Sequence, residues 1–218
     1  MADSPPHRRP SRNPTGRPDL DQIVEDLKRC DAELAETVVE ARVVHHGRYM
    51  NFERQTVEMP DGRVSQRDLV FHPGAVAILA LDNEERLLLV RQYRLAPGGA
   101  LLEVPAGTLD READGMEDPT RAAHRELEEE TGYRAGKMER LGGFFSSPGF
   151  TSEYITLFLA TELQPANQDR LKPDEDERLE LFRLPWRTAV AAVEAGVIED
   201  AKSAAGIMWL ANRMSGPR

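Results

Sequence analysis

A single cysteine, Cys30, leaves no room for an internal disulfide framework or a cysteine metal cage, and an ordinary reduced thiol is expected. The chain also lacks any apolar run near the ~18 residues that a membrane span requires. No apolar signal-peptide core follows Met1, so a cytoplasmic protein is expected. Positive charge is in deficit. A formal net charge of −10 disfavours nonspecific binding to nucleic acid or to an anionic membrane, and neither partner is expected. What is present, 40% hydrophobic and 30% charged residues in 218, suits one globular domain of moderate size, with or without a tail.

The sign of the charge changes along the chain. Residues 1–19 carry Arg8, Arg9, Arg12 and Arg17 against Asp3 and Asp19, with five prolines and almost nothing apolar. That composition predicts a disordered basic arm, and the prolines spoil the amphipathic helix of an organelle-targeting segment. Residues 20–36 place Leu20, Ile23, Val24, Leu27 and Leu34 at helical spacing. Residues 37–70 form a strand region, with Pro60-Asp61-Gly62 as a hairpin signal. GAVAILAL and RLLLVRQY repeat the pattern around Asp82–Glu85 and are apolar enough for burial on both faces. Three more strand-like segments follow, GGFFSS, EYITLFLATEL and RLELFRLP, and then two helical ones, WRTAVAAVEAG and EDAKSAAGIMWLANRM. This order predicts an α+β or layered α/β/α fold on a mostly antiparallel or mixed sheet.

Residues 121–133 read RAAHRELEEETGY, with four glutamates inside five positions. Asp118-Pro119 supplies a helix start and Gly132 a left-handed stop, so the helix should run from about Pro119 to Thr131. At 100° per residue, Glu126 and Glu130 lie about 40° apart, and Glu129 about 60° to the other side of Glu126. Glu128 projects away and is expected at the surface. A solvated face is the usual reading of a Glu-rich helix. The alternative is a hard divalent cation such as Mg²⁺ or Mn²⁺ held by the three carboxylates, with Arg125 fixing one of them. Asp110-x-Glu112-x-Asp114-Gly115 also resembles half of a calcium loop, but its twelfth position, which should be a bidentate Glu, is Arg121.

Glu117, Arg125, Glu126, Leu127, Glu129, Glu130, Gly132 and Tyr133 together resemble the Nudix hydrolase signature. The family's leading Gly would fall at Arg111. Gly107 lies ten residues before Glu117, so the loop carries about four extra residues near READG. RQYR (91–94), LLEVPAG (101–107), SSPGFTSE (146–153) and PDEDE (173–177) look like the ADP-ribose pyrophosphatase branch, as does Pro148, 16 residues after Gly132. The resemblance covers roughly residues 40–212. It implies a Nudix-type α/β/α sandwich over residues 71–213, with a mixed sheet, a loop-helix-loop signature and additional N-terminal strands.

The resemblance also implies roles. Glu126 and Glu130 would bind Mg²⁺ (Mn²⁺ as a substitute), with Glu129 direct or through water and the Ala106 carbonyl completing the shell; Arg125 would orient the glutamates. Glu175 would activate water, with Glu177 a second metal-linked carboxylate. Arg67, Arg94, Glu103 and Pro148 match substrate-holding positions, and Tyr49 or Phe52 is a candidate for stacking on the base. The implied reaction is metal-dependent hydrolysis of the ADP-ribose diphosphate to AMP and ribose 5-phosphate, by a homodimer whose N-terminal strands help build the base pockets. Another nucleotide sugar, such as UDP-glucose or GDP-mannose, and a non-hydrolytic Nudix-like binding module are the rival readings.

Overall fold

The computed structural model describes residues 13–113, 115–166, 171 and 178–216, which form two compact units. Glu175 and Glu177, like residues 1–12 of the expected arm, lie outside the described residues.

The first unit runs to His72 and takes in Ser147–Ser152. Its helix α1 (Pro18–Glu33) begins two residues before the expected start, because Pro18 occupies the first turn and Asp19 and Asp21 favour the helix N-terminus. α1 buries none of its residues. Strands β1 (Thr37–His46), β2 (Asn51–Glu58) and β3 (Val64–Phe71) form an antiparallel sheet in that order. The Pro60–Gly62 signal does make the β2–β3 hairpin: Gly62 has φ 82° and donates its N–H to the Met59 carbonyl. Ser147–Ser152 returns to β3, where the Val70 N–H donates to the Phe150 carbonyl and the Ser152 N–H to the Val70 carbonyl.

The second unit comprises Pro73–Ser146 and the chain from Glu153 onward. Its strands are β4 (Ala75–Leu81), β5 (Arg86–Arg94), β6 (Gly99–Glu103), β7 (Ala106–Thr108), β8 (Arg111–Glu112), β9 (Gly115–Met116), β10 (Tyr133–Phe145), β11 (Tyr154–Pro165) and β12 (Glu180–Pro185). Its helices are α2 (Pro119–Thr131), α3 (Trp186–Glu194) and α4 (Ala201–Ser215). The main sheet runs β10-β11-β4-β5-β12, with β6 on β5 and β7 on β4; β11 and β4 are parallel and the other pairs antiparallel.

Strand periodicity explains the layers. Every residue of β4 is buried. Ala77, Leu79 and Leu81 join Leu157, Trp186, Ile207 and Leu210 on the face covered by α3 and α4. Val76, Ile78 and Ala80 join Phe158, Ala122, Ala123 and Leu127 on the face covered by α2. One strand with a period of two thus feeds two cores, which is why its sequence is apolar without alternation. The result is the expected mixed-sheet α/β/α sandwich. α2 has the expected ends: the Asp118 carboxylate accepts from the N–H groups of Thr120 (2.9 Å) and Arg121 (3.1 Å), and Gly132 closes it at φ 72°. Among the described residues, no helix is long and apolar enough to cross a membrane.

Candidate active site

β7 pairs with β4 at Ala77 and Ala106, which holds the Ala106-Gly107 segment beside α2. In the segment that follows, β8 and β9 pair antiparallel, and the Glu117 N–H donates to the Asp110 carbonyl at 2.9 Å. The insertion therefore does not separate Leu109 and Asp110 from Glu117. The calcium-loop alternative ends here too, because Arg121 pairs with Glu112, one of the would-be ligands.

The positive partner of the acidic face is Arg125. Its Nε and Nη2 donate to Glu117 at 3.2 and 2.8 Å, and its Nη1 donates to both Glu126 (2.7 Å) and Glu129 (2.9 Å). Nη2 also reaches the Thr108 carbonyl at 3.3 Å. Burial works against the Arg125 charge, but Glu117 and Glu126 outweigh it and hold its pKa above the usual arginine value. Burial likewise opposes ionisation of Glu117, yet the Arg125 and Asp110 hydrogen bonds leave its pKa below the ordinary carboxylate range.

Glu130 turns elsewhere and accepts the Ala106 N–H at 3.0 Å. Gly107 lies directly against Glu126: a Cβ there would sit 1.9 Å from its Oε1. Only glycine leaves this carboxylate its place. The structure thus brings together Ala106, Gly107, Glu117, Arg125, Glu126, Glu129 and Glu130. Among the described residues, no three acid, imidazole or thiol side chains are arranged as a ready metal cage, because Glu126 and Glu129 close on Arg125. The donor set nevertheless fits a hard divalent cation. Three carboxylates share one guanidinium and Glu130 adds a fourth beside them, and the surplus negative charge and oxygen ligands match Mg²⁺-type chemistry.

Glu128 is not a surface residue. It is only 7% exposed, and Arg134 grips both its oxygens at 2.7 Å. The Leu171 N–H adds a bond at 3.0 Å. The Arg134 hydrogen bonds hold the Glu128 pKa low despite burial. The helical spacing placed Glu128 correctly on the far side of α2, but β10 turns back after Gly132 and covers that side.

Arg94 and Glu103, named separately from the sequence, form one fork-on-fork pair between β5 and β6, at 2.7 and 2.8 Å. Burial opposes the Glu103 charge, and Arg94 and Lys202 overcome it, leaving the Glu103 pKa lowered. The Glu103 hydrogen bond raises the Arg94 pKa against burial, and the charge of Glu130 adds to that effect. A depressed folded-state pKa contributes stability above the unfolded value, about 4.3, and that stability is lost as pH falls through the folded value. Urea midpoints of the native protein should therefore fall more steeply below about pH 4.3 than those of Glu103→Gln. Parallel curves would contradict this assignment.

The other substrate candidates belong to the first unit. Arg67 donates to Glu36 at 2.5 and 3.2 Å and to Ser65 Oγ at 2.8 Å. Tyr49 is exposed beneath Arg48, whose guanidinium carbon lies 4.7 Å from the ring centre. Phe52 is half-buried in β2 opposite Val70, and Pro148 lies in the Ser147–Ser152 return.

A three-layer sandwich with a glutamate helix braced by one arginine against a glycine-containing loop defines a class of diphosphate-cleaving hydrolases. The NUDIX domain family matches residues 71–203, and the chain belongs to that family. ADP-ribose pyrophosphatase of Bacillus subtilis (strain 168) is 38% identical over 177 residues, 81% of this chain and 93% of that protein. The methanol dehydrogenase activator of Bacillus methanolicus is 37% identical over 175 residues, 80% and 92% of the two chains. GDP-mannose pyrophosphatase of Cronobacter sakazakii (strain ATCC BAA-894) is 33% identical over 152 residues, 66% and 77%. A solved structure described as an ADP compounds hydrolase superposes with a TM-score of 0.70 at 25% identity, covering 83% of this chain and 95% of that one.

Proposed function

We propose that the protein hydrolyses the diphosphate of ADP-ribose to AMP and ribose 5-phosphate, using Mg²⁺ with Mn²⁺ as a substitute. The observation that carries this reading is the Glu117–Arg125–Glu126–Glu129 cluster beside Gly107, within a chain so similar over most of its length to an ADP-ribose pyrophosphatase. GDP-mannose is the second reading, favoured by the similarity to a GDP-mannose pyrophosphatase.

Glu126, Glu129, Glu130 and the Ala106 carbonyl would hold the cation. A cation bound there would offset the diphosphate charge and polarise the attacked phosphorus. Arg125 keeps Glu126 and Glu129 in single rotamers through its shared Nη1. Arg94 offers the substrate a guanidinium whose orientation Glu103 fixes. Arg67 and Pro148 are further substrate contacts, and Tyr49 or Phe52 stacks on the base. Glu175 takes the proton of the attacking water as the new P–O bond forms; the P–O bond to the other phosphate breaks, and that phosphate leaves. Glu177 assists as a second acidic group.

Glu175→Gln should lower kcat with little change in the Mg²⁺ concentration needed for half-maximal rate. A larger kcat loss in Glu177→Gln would transfer the base role to that residue.

Homodimerisation through the first unit belongs to the same proposal. All ten residues of β1 are exposed, with Val38, Val39, Val43 and Val44 among them, and α1 exposes Ile23 and Leu27. Exposed apolar side chains on an edge strand and an unburied helix fit a second copy. Light scattering should give twice the 24.4 kDa chain mass, whereas a monomer at micromolar concentration would reject it. Cytoplasmic placement completes the reading.

A further inference from the structure

Glu103 is 1% exposed, and its two oxygens already receive the Nε and Nη2 donors of Arg94. A second cation joins it: the Lys202 ammonium also donates to Glu103 Oε2. Lys202 stands in the first turn of α4 with its side chain only 13% exposed, and it pairs with Asp200 at 3.0 Å. Desolvating a lysine is costly, and Glu103 already had a bidentate partner, so neutralising Glu103 does not by itself account for Lys202.

Asp200 ties this pair to the backbone. It caps α4 by accepting from the Ser203 N–H (2.9 Å) and from the Ser203 hydroxyl (2.5 Å). Ser203 Oγ in turn accepts the Val104 N–H at 2.8 Å. Val104 lies two residues before Ala106, whose N–H holds Glu130. The N-terminus of α4 is therefore bonded both to the Glu103 side chain and to the loop that carries the carboxylate cradle. The four charges, Arg94 and Lys202 against Glu103 and Asp200, balance. Arg94 keeps 41% of its side chain exposed, and among the described residues its Nη1 makes no hydrogen bond.

We propose that Lys202 is a positioning residue for the reaction: by sharing the Glu103 carboxylate it fixes Arg94 so that the unused Nη1 edge meets a substrate phosphate. This rests on the reading of Arg94 as a substrate residue. Without Lys202, Glu103 has only Arg94 to neutralise it. The carboxylate then loses its second anchor and can rotate with the Arg94 fork on it, so the Nη1 edge is no longer held toward an incoming anion. Lys202 and the phosphate thus play complementary parts, one holding Glu103 while the other engages Arg94.

Steady-state kinetics on ADP-ribose with Mg²⁺, beside thermal melts, test this in the full chain. Lys202→Met should raise KM about tenfold with kcat nearly unchanged, the size of loss typical of groups that support a ligand. Lys202→Arg should recover most of the native KM. In an Arg94→Ala background, Lys202→Met should raise KM no further, because Lys202 acts through Arg94. A KM unmoved in Lys202→Met, or raised equally in the Arg94→Ala background, overturns the inference. So does a Lys202→Arg variant that melts like the native protein but keeps the raised KM. If Arg94→Ala alone leaves KM unchanged, the reading of Arg94 fails; if Arg94→Ala raises KM while Lys202→Met does not, only the Lys202 inference fails. No turnover of ADP-ribose by the native protein would reject the functional reading itself.

Discussion

Replacing Glu126 by glutamine should reduce kcat by more than about 100-fold while leaving the fold intact, since losses of 10- to 100-fold already follow from altering residues one step removed from a metal. The substitution keeps the size of the side chain and removes its charge. Glu126 is where three features coincide: it bonds Arg125 at 2.7 Å, lies against Gly107, and faces the loop strand β7. The amide could still accept from Arg125, so α2 should stay packed through Leu127 on Val76 and Ile78. Circular dichroism and the melting temperature would show that directly. Near-native turnover with saturating Mg²⁺ would contradict the placement of Glu126 at the metal.

Gly107→Ala should have nearly the same effect on rate by a different route. The new Cβ would lie 1.9 Å from Oε1, 2.0 Å from Cδ and 2.4 Å from Oε2 of Glu126. Something must move, and the moving part is the end of a flexible side chain. Stability should therefore change little. The carboxylate, however, is pushed off by an ångström or more, and misplacement on that scale can cost about 100-fold in rate. A rate loss with a conserved melting temperature is the expected pair of results. If the melt collapses together with the rate, Gly107 serves the backbone and not the carboxylate.

The extent to which the sequence revealed these features depended on how local their causes are. The caps of α2 were legible because Asp118, Pro119 and Gly132 act within a turn of the helix. β4 and the Leu87–Val90 half of β5 were legible because burial on both faces leaves no polar alternation, whereas Arg91–Arg94, expected to share that burial, alternate exposed and half-buried because they carry polar side chains. Helical spacing put Glu126, Glu129 and Glu130 on one face and offered Arg125 as the partner of one of them, while Glu117 entered only through the resemblance; the structure sets Arg125 on Glu117, Glu126 and Glu129 together. Glu128 was misplaced because a helical wheel cannot see Arg134, which arrives only after the chain reverses at Gly132. The Arg94–Glu103 pair needed the β5–β6 register, and Lys202 needed the packing of α4, a hundred residues downstream. One local signal for the last was available: Asp200 three residues before Ser203 is a helix-start pattern. The insertion of about four residues was counted from Gly107 and Glu117, whereas the Asp110–Glu117 hydrogen bond that closes its ends could not be read from the sequence.

The most direct test is the identity of the products when purified protein is given ADP-ribose with Mg²⁺, beside GDP-mannose, UDP-glucose and NADH. Chromatography should show AMP and ribose 5-phosphate in equal amounts, with ADP-ribose turned over most efficiently and the reaction abolished by a chelator. Intact ADP-ribose alongside rapid hydrolysis of GDP-mannose, or no hydrolysis of any of the four, would contradict the account.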